Sequence, residues 1–208
     1  MISKLRPMTK PLANILAKPF IWLKVDPNLI SIMGLLLAMV GAYFVARQEW
    51  FLAFIFFLLS PTMDLVDGAV ARALNKKSNW GNYFETMIDK FVDFVMLGSF
   101  VIWFPLAAAF ALGFSMISSY AKPRVALIII TDNRDWPAIG EHADKLLLIL
   151  LALLLASFGY NYIEGILALI AAISAVGILQ RMEYAKVLIK EAEKKGTLLP
   201  YIKNNKER

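Results

Sequence analysis

Long apolar runs recur along most of the chain. The first goes from about Pro27 to Ala46, opened by Asp26-Pro27-Asn28, and a second follows from about Trp50 to Leu74. A third covers roughly Asn82 to Phe104, where Pro105 breaks it, and a fourth continues from Leu106 to about Ile130. After the polar stretch Thr131 to Glu141, a fifth run occupies Ala143 to Phe158 and a sixth about Tyr162 to Leu179. Because about 20 consecutive apolar residues span a bilayer, the pattern predicts an all-α integral membrane protein with six transmembrane helices in a single domain, 1–208. In the stretch from Met1 to Lys24, apolar residues are interleaved with Lys4, Arg6, Lys10, Lys18 and Lys24, which suits an amphipathic helix lying along the headgroups. It lacks the small-residue cleavage site that would make it a signal peptide. Beyond Arg181 a partly amphipathic basic tail continues until Gly196 and Pro200 stop it. The second span is expected to kink at Pro61, which cannot donate to the carbonyl of Phe57.

Composition narrows the class. Of 208 residues, 59% are hydrophobic and only 18% charged, against about 25% charged in an average soluble domain, which argues against a soluble enzyme. There are no cysteines, so disulfides, thiolate metal sites and cysteine nucleophiles are excluded. The net charge of +6 reports loop topology in a membrane chain. With the N-terminus inside, 21 of the 22 Lys and Arg residues fall on the cytoplasmic side and only Arg47 on the other. The expected location is therefore a cell membrane, multi-pass, with both termini cytoplasmic.

Five acids, Asp64, Asp67, Glu85, Asp89 and Asp93, lie within or at the mouths of spans two and three, where each charge costs about 2.5–3.5 kcal/mol at the bilayer centre on insertion scales. Arg72, Lys76, Lys77 and Lys90 do not obviously neutralise them all, and a bound cation resolves the conflict. Asp64, Asp67, Gly68, Ala71 and Arg72 follow i, i+3, i+4, i+7, i+8 on one helical face, and Gly81, Glu85, Asp89 and Asp93 advance by fours. If the chain turns near Lys77, an antiparallel hairpin sets Asp67 against Glu85 and Asp64 against Asp89 at matched depths. Oxygen-only ligands favour hard ions, Mg²⁺, Mn²⁺ or Ca²⁺, and a phosphate-serving site of this kind usually takes Mg²⁺ or Mn²⁺. Gly68 and Ala71 suit either close helix packing or close approach of a ligand to the backbone.

Read together, Asp64-x-x-Asp67-Gly68-x-x-Ala71-Arg72, eight residues, then Gly81-x-x-x-Glu85-x-x-x-Asp89 resembles the signature of the CDP-alcohol phosphotransferase family. Seven of its eight fixed positions match, Glu85 standing where the signature has Asp; its extra methylene still reaches a cation but alters the spacing. The resemblance implies a transferase that moves the phosphoalcohol of a CDP-lipid to a second alcohol and releases CMP. It implies that Asp64, Asp67, Glu85 and Asp89 hold one or two Mg²⁺ or Mn²⁺ ions, with Asp89 also the base for the acceptor hydroxyl. Gly68, Ala71, Arg72 and Gly81 would then line the nucleotide pocket beside Asp64 and Asp67. Homodimers are common in the family. Asp93, a turn beyond the motif, is expected as a partner of Lys90 or Arg72.

In the inositol-phosphate branch of the family, an S-Y-x-x-A-R segment and a G-x-x-E-R-x-x-R-like segment place basic residues near the acceptor phosphate. Ser119-Tyr120-Ala121-Lys122-Pro123-Arg124 and Gly140-Glu141-His142-Ala143-Asp144-Lys145 resemble these in part, with Pro123 replacing a small residue and His142 an arginine. Lys122, Arg124, His142 and Lys145 are thus the candidate acceptor-binding residues, with inositol phosphate the expected acceptor and glycerol phosphate or serine the alternatives. Either an archaetidyl or a phosphatidyl donor fits. Intramembrane acids also mark ion-coupled transporters, but neither inverted repeats nor paired broken helices are apparent.

Overall fold

The computed structural model describes residues 6–130, 136 and 138–199, with the side chains of residues 6–10 outside the description. Lys4, Arg134, Lys203, Lys206 and Arg208, and most of the predicted polar stretch Thr131 to Glu141, lie outside it. Among the described residues the chain is helical: α1 (Arg6–Trp22), α2 (Pro27–Ala46), α3 (Trp50–Ala73), α4 (Asn79–Gly98), α5 (Pro105–Val125), α6 (His142–Ser157) and α7 (Ile163–Lys195).

Local chemistry sets the helix starts. Asp26 caps α2, accepting from the Asn28 backbone N–H at 3.0 Å with Pro27 in the first turn. Ser78 caps α4, accepting from the Gly81 N–H at 2.9 Å, which starts that helix three residues ahead of the expected Asn82. Glu141 and Asp144 form a reciprocal capping box on α6. The third span ends as a 3₁₀ turn, Ser99–Ile102, before Pro105 opens α5. The fourth leaves the helix at Val125, short of the expected Ile130, because Ile129 pairs with Leu198 in an isolated bridge and Ile128 accepts from the Leu199 N–H. The sixth span and the first part of the tail are one 33-residue helix, terminated by Gly196 in the left-handed conformation (φ +65°).

Three helices, α2, α3 and α7, are long and apolar enough to cross a membrane by length and composition. α4 carries Glu85, Asp89, Lys90 and Asp93 within its length, and α6 has 16 residues. The main core, built around Val45, Phe57, Phe100, Leu153 and Ile163, gathers α2 to α7. α2 approaches α3 through small residues at Gly34, Ala38 and Gly41. A Cβ on Gly41 would lie 2.3 Å from the Phe57 ring and one on Gly34 3.1 Å from the Ser60 carbonyl oxygen. Ala13 and Ala17 bury α1 against Val66, Ala69 and Val70 of α3, while Leu12, Ile15 and Trp22 stay exposed. Val125, Ile129, Trp136 and Ala192 form a smaller cluster where α7 overhangs the end of α5.

Candidate active site

α3 and α4 touch each other sparingly, and α2 packs against both. The hairpin predicted from the acid spacing is therefore splayed, and α2 supplies its third wall. The motif's two helices border a cleft of about 570 Å³ lined by Asp67, Gly68, Ala71, Arg72, Gly81 and Glu85, a size that suits a nucleotide-bearing ligand. Side chains at two of these positions would narrow it: a Cβ on Gly81 would meet the Ser78 hydroxyl at 3.1 Å, and one on Gly68 the Arg72 guanidinium at 3.4 Å.

At the inner end of the cleft, one carboxylate oxygen each from Asp64, Asp67 and Glu85 lies within 4.8 Å of the others. Asp67 is buried, 3% exposed. Its Oδ2 accepts from the Ser31 hydroxyl at 2.5 Å, whereas its buried Oδ1 has no hydrogen-bond partner. A buried carboxylate oxygen left without a donor carries a desolvation penalty, and a cation among the three carboxylates removes it. The oxygen-only donor set and the outer partner holding Asp67 both fit a hard divalent ion. Asp89 stands apart from this trio. It lines a small adjoining cavity with Asp64, Asp67, His142, Ser60 and Pro61. α3 continues through Pro61 to Ala73, so this proline borders the cavity without ending the helix.

The residues assigned to the acceptor do not all converge. His142, the first residue of α6, is half-buried, reaches the Asp89 cavity and donates from Nδ1 to Asp93 Oδ1 at 2.6 Å. Lys90 Nζ donates to Asp93 Oδ2 at 2.8 Å and to the Ser119 hydroxyl at 3.2 Å. Of the two partners expected for Asp93, Lys90 is thus the one bonded. Lys145 is buried, 3% exposed, and donates to the Ser115 hydroxyl. Lys122 is half-buried and Arg124 exposed in the last turn of α5, and neither lines the cleft or the Asp89 cavity.

Three participants escape sequence reasoning. Ser31 belongs to an apolar span with no motif of its own. Asn28, whose amide oxygen would sit 3.8 Å from a Cβ on Gly81, reads as part of a helix start. Arg181 reads as a tail cation, but its guanidinium donates to both the carbonyl and the hydroxyl of Ser118. A serine ladder on α5 (Ser115, Ser118, Ser119) thus collects one cation each from α6, α7 and α4. The i, i+3, i+4 spacing of those serines was the available signal.

An all-helical fold that gathers an oxygen-only acidic trio beside a nucleotide-sized cleft agrees with the comparisons. The model of the CDP-alcohol phosphatidyltransferase family matches residues 24–177, and the chain belongs to that family. Among its relatives, the archaetidylinositol phosphate synthase of Pyrococcus horikoshii is 29% identical over 193 residues, covering 89% of this chain and 97% of that protein. The phosphatidylinositol phosphate synthase of Streptomyces avermitilis is 29% identical over 171 residues, 74% of this chain and 68% of that protein. The Mycobacterium tuberculosis phosphatidylinositol phosphate synthase solved with CDP-DAG bound shares the fold, with a TM-score of 0.73 at 18% identity over 84% of this chain and 94% of that one. The same protein has been solved in complex with manganese and citrate.

Proposed function

We propose that this transferase makes a membrane phospholipid by moving the phosphatidyl or archaetidyl group of a CDP-lipid to inositol phosphate, releasing CMP. The convergence of Asp64, Asp67 and Glu85 around an unpartnered buried Asp67 oxygen carries the reading. The names of the relatives support the acceptor, and family membership sets the transporter alternative aside. Asp64, Asp67, Glu85 and Asp89 hold one or two Mg²⁺ or Mn²⁺ ions. When bound, the metal acts as a Lewis acid on the diphosphate oxygens and eases departure of CMP.

The residues divide the remaining work. Gly68, Ala71 and Gly81 leave room for the cytidine diphosphate, and Arg72 meets a phosphate oxygen. Asp89 takes the proton of the acceptor hydroxyl, whose oxygen bonds to the lipid-side phosphorus as the bond from that phosphorus to the CMP oxygen breaks. General-base help of this kind contributes about 10²–10⁴-fold. Of the acceptor residues, His142 stands at the wall of the Asp89 cavity and Lys145 is buried on Ser115, while Lys122 and Arg124 act from the last turn of α5, outside both cavities.

The architecture follows. Residues 1–208 make one domain in which α2, α3, α4 with its 3₁₀ turn, α5, α6 and α7 are six spans. Both termini are cytoplasmic, and α1 lies at the interface with Leu12, Ile15 and Trp22 toward lipid. The test is CMP release from radiolabelled CDP-lipid by purified protein offered inositol phosphate, glycerol phosphate, serine and inositol. Release is expected with inositol phosphate, abolished by chelation and reduced at least 10²-fold by Asp89→Asn. Release that ignores both treatments overturns the mechanism, and release with another acceptor overturns the acceptor assignment.

A further inference from the structure

The transferase chemistry gives Asp93 no task, yet it is among the most heavily engaged acids of the described residues. It is 6% exposed, one turn beyond Asp89, and lines neither the cleft nor the Asp89 cavity. Both oxygens are used: Oδ1 accepts from His142 Nδ1 at 2.6 Å and Oδ2 from Lys90 Nζ at 2.8 Å. Lys90 bonds onward to Ser119, so one carboxylate links α4, α6 and α5. A bond at Nδ1 fixes the plane of an imidazole and leaves Nε2 as its free end. His142 lines the cavity that also holds Asp64, Asp67 and Asp89. With Nδ1 turned to Asp93, Nε2 is the ring nitrogen available to a molecule entering that cavity.

The backbone of His142 is held as firmly as its ring. The Glu141–Asp144 capping box fixes the first turn of α6. Immediately before it, the Ile139 N–H donates to Gln180 Oε1 at 2.8 Å, and Gly140 takes φ +71° against the Ile173 carbonyl of α7. A side chain fixed at both ends, at the wall of a reaction cavity, suits the orienting of a substrate, where misplacement by about 1 Å costs on the order of 10²-fold.

We propose that Asp93 is a positioning residue that acts through His142, holding the imidazole so that Nε2 contacts the acceptor alcohol at the wall of the Asp89 cavity. The proposal rests on the transferase reading, and it gives His142 a contact that the exposed Arg124 does not share. Loss of either member frees the ring and weakens the acceptor's seat, whereas the CDP-lipid, held in the cleft on the other side of the carboxylate trio, is unaffected.

The test is a double-mutant cycle on the full-length protein in detergent with Asp93→Asn, His142→Ala and the pair. Each variant is titrated with inositol phosphate in the absence of CDP-lipid and then assayed for the KM of each substrate with whichever acceptor supports CMP release. Each single change should weaken acceptor binding about tenfold and leave the CDP-lipid KM within about twofold, and the double variant should be no worse than His142→Ala alone. Additive losses, or a fall in kcat with acceptor affinity intact, overturn the proposal. So does unchanged acceptor affinity in His142→Ala, which decides the matter even if Asp93→Asn fails to fold. No CMP release by the wild type with any acceptor overturns the transferase reading and this proposal with it. Release by the wild type combined with an unaltered acceptor affinity in His142→Ala overturns this proposal alone.

Discussion

Ser31→Ala isolates the outer support of the metal site from the site itself. The Ser31 hydroxyl donates to Asp67 Oδ2 at 2.5 Å, and Asp67 Oδ1 has no partner, so the substitution leaves both oxygens of a buried carboxylate without a hydrogen-bond donor. A hydrogen bond to a charged group is worth about 1.5–3 kcal/mol. Once freed, the Asp67 carboxylate turns away from Asp64 and Glu85 and no longer completes the trio that holds the cation. Loss of an outer-shell partner of this kind costs about 10- to 100-fold in metal affinity. Fold stability should fall by about 1–2.5 kcal/mol as well, because alanine's gain in helix propensity of about 0.5 kcal/mol offsets only part of the lost hydrogen bond. The assay is a Mn²⁺ titration of CMP release, with the melting temperature measured in parallel. The half-saturating Mn²⁺ concentration should rise at least tenfold while activity at saturating Mn²⁺ largely recovers. An unchanged Mn²⁺ requirement would refute the reasoning, because Ser31 would then not be holding a metal ligand.

Gly177→Ala should displace the segment ahead of α6, since its Cβ would fall 2.4 Å from the Ile139 carbonyl oxygen. Overpacking of about 1–3 kcal/mol outweighs the gain in helix propensity of about 1 kcal/mol, so both a lower melting temperature and a higher acceptor KM are expected. Lys145→Met removes a buried cation while conserving volume. It should raise the acceptor KM about tenfold or more, as steady-state kinetics with inositol phosphate would show. Arg124→Ala should raise the acceptor KM more than the CDP-lipid KM, but less than Lys145→Met does, because Arg124 is exposed and lines neither cavity.

The acids were legible because their constraint is local. Asp64 and Asp67 are one helical turn apart, and a short link carries the chain to Glu85, so periodicity alone brings three carboxylates together. The fourth member follows in part: matched depth along a hairpin pairs Asp64 with Asp89, and the two line one small cavity with Asp67 and His142, but α3 and α4 are held apart and Asp89 lies outside the Asp64–Asp67–Glu85 trio. The spacer is α2, whose Ser31 and Gly34 look like ordinary span residues until tertiary packing sets them against Asp67 and Ser60. Helix ends behaved similarly. Gly196 as the stop of the tail was legible from residue type. The early end of α5 depends on Leu198, more than 70 positions away, which no local pattern reports. His142 was found from its place in a family-like segment, but its bond to Asp93 spans 49 positions and only the fold reveals it.

The central claim is that two helices pool their carboxylates around a divalent cation, and anomalous diffraction from crystals grown with Mn²⁺ tests it most directly. The predicted result is a manganese peak within bonding distance of Asp64, Asp67 and Glu85, lost in Asp67→Asn. A peak elsewhere, or none among those three side chains at saturating Mn²⁺, would contradict the account.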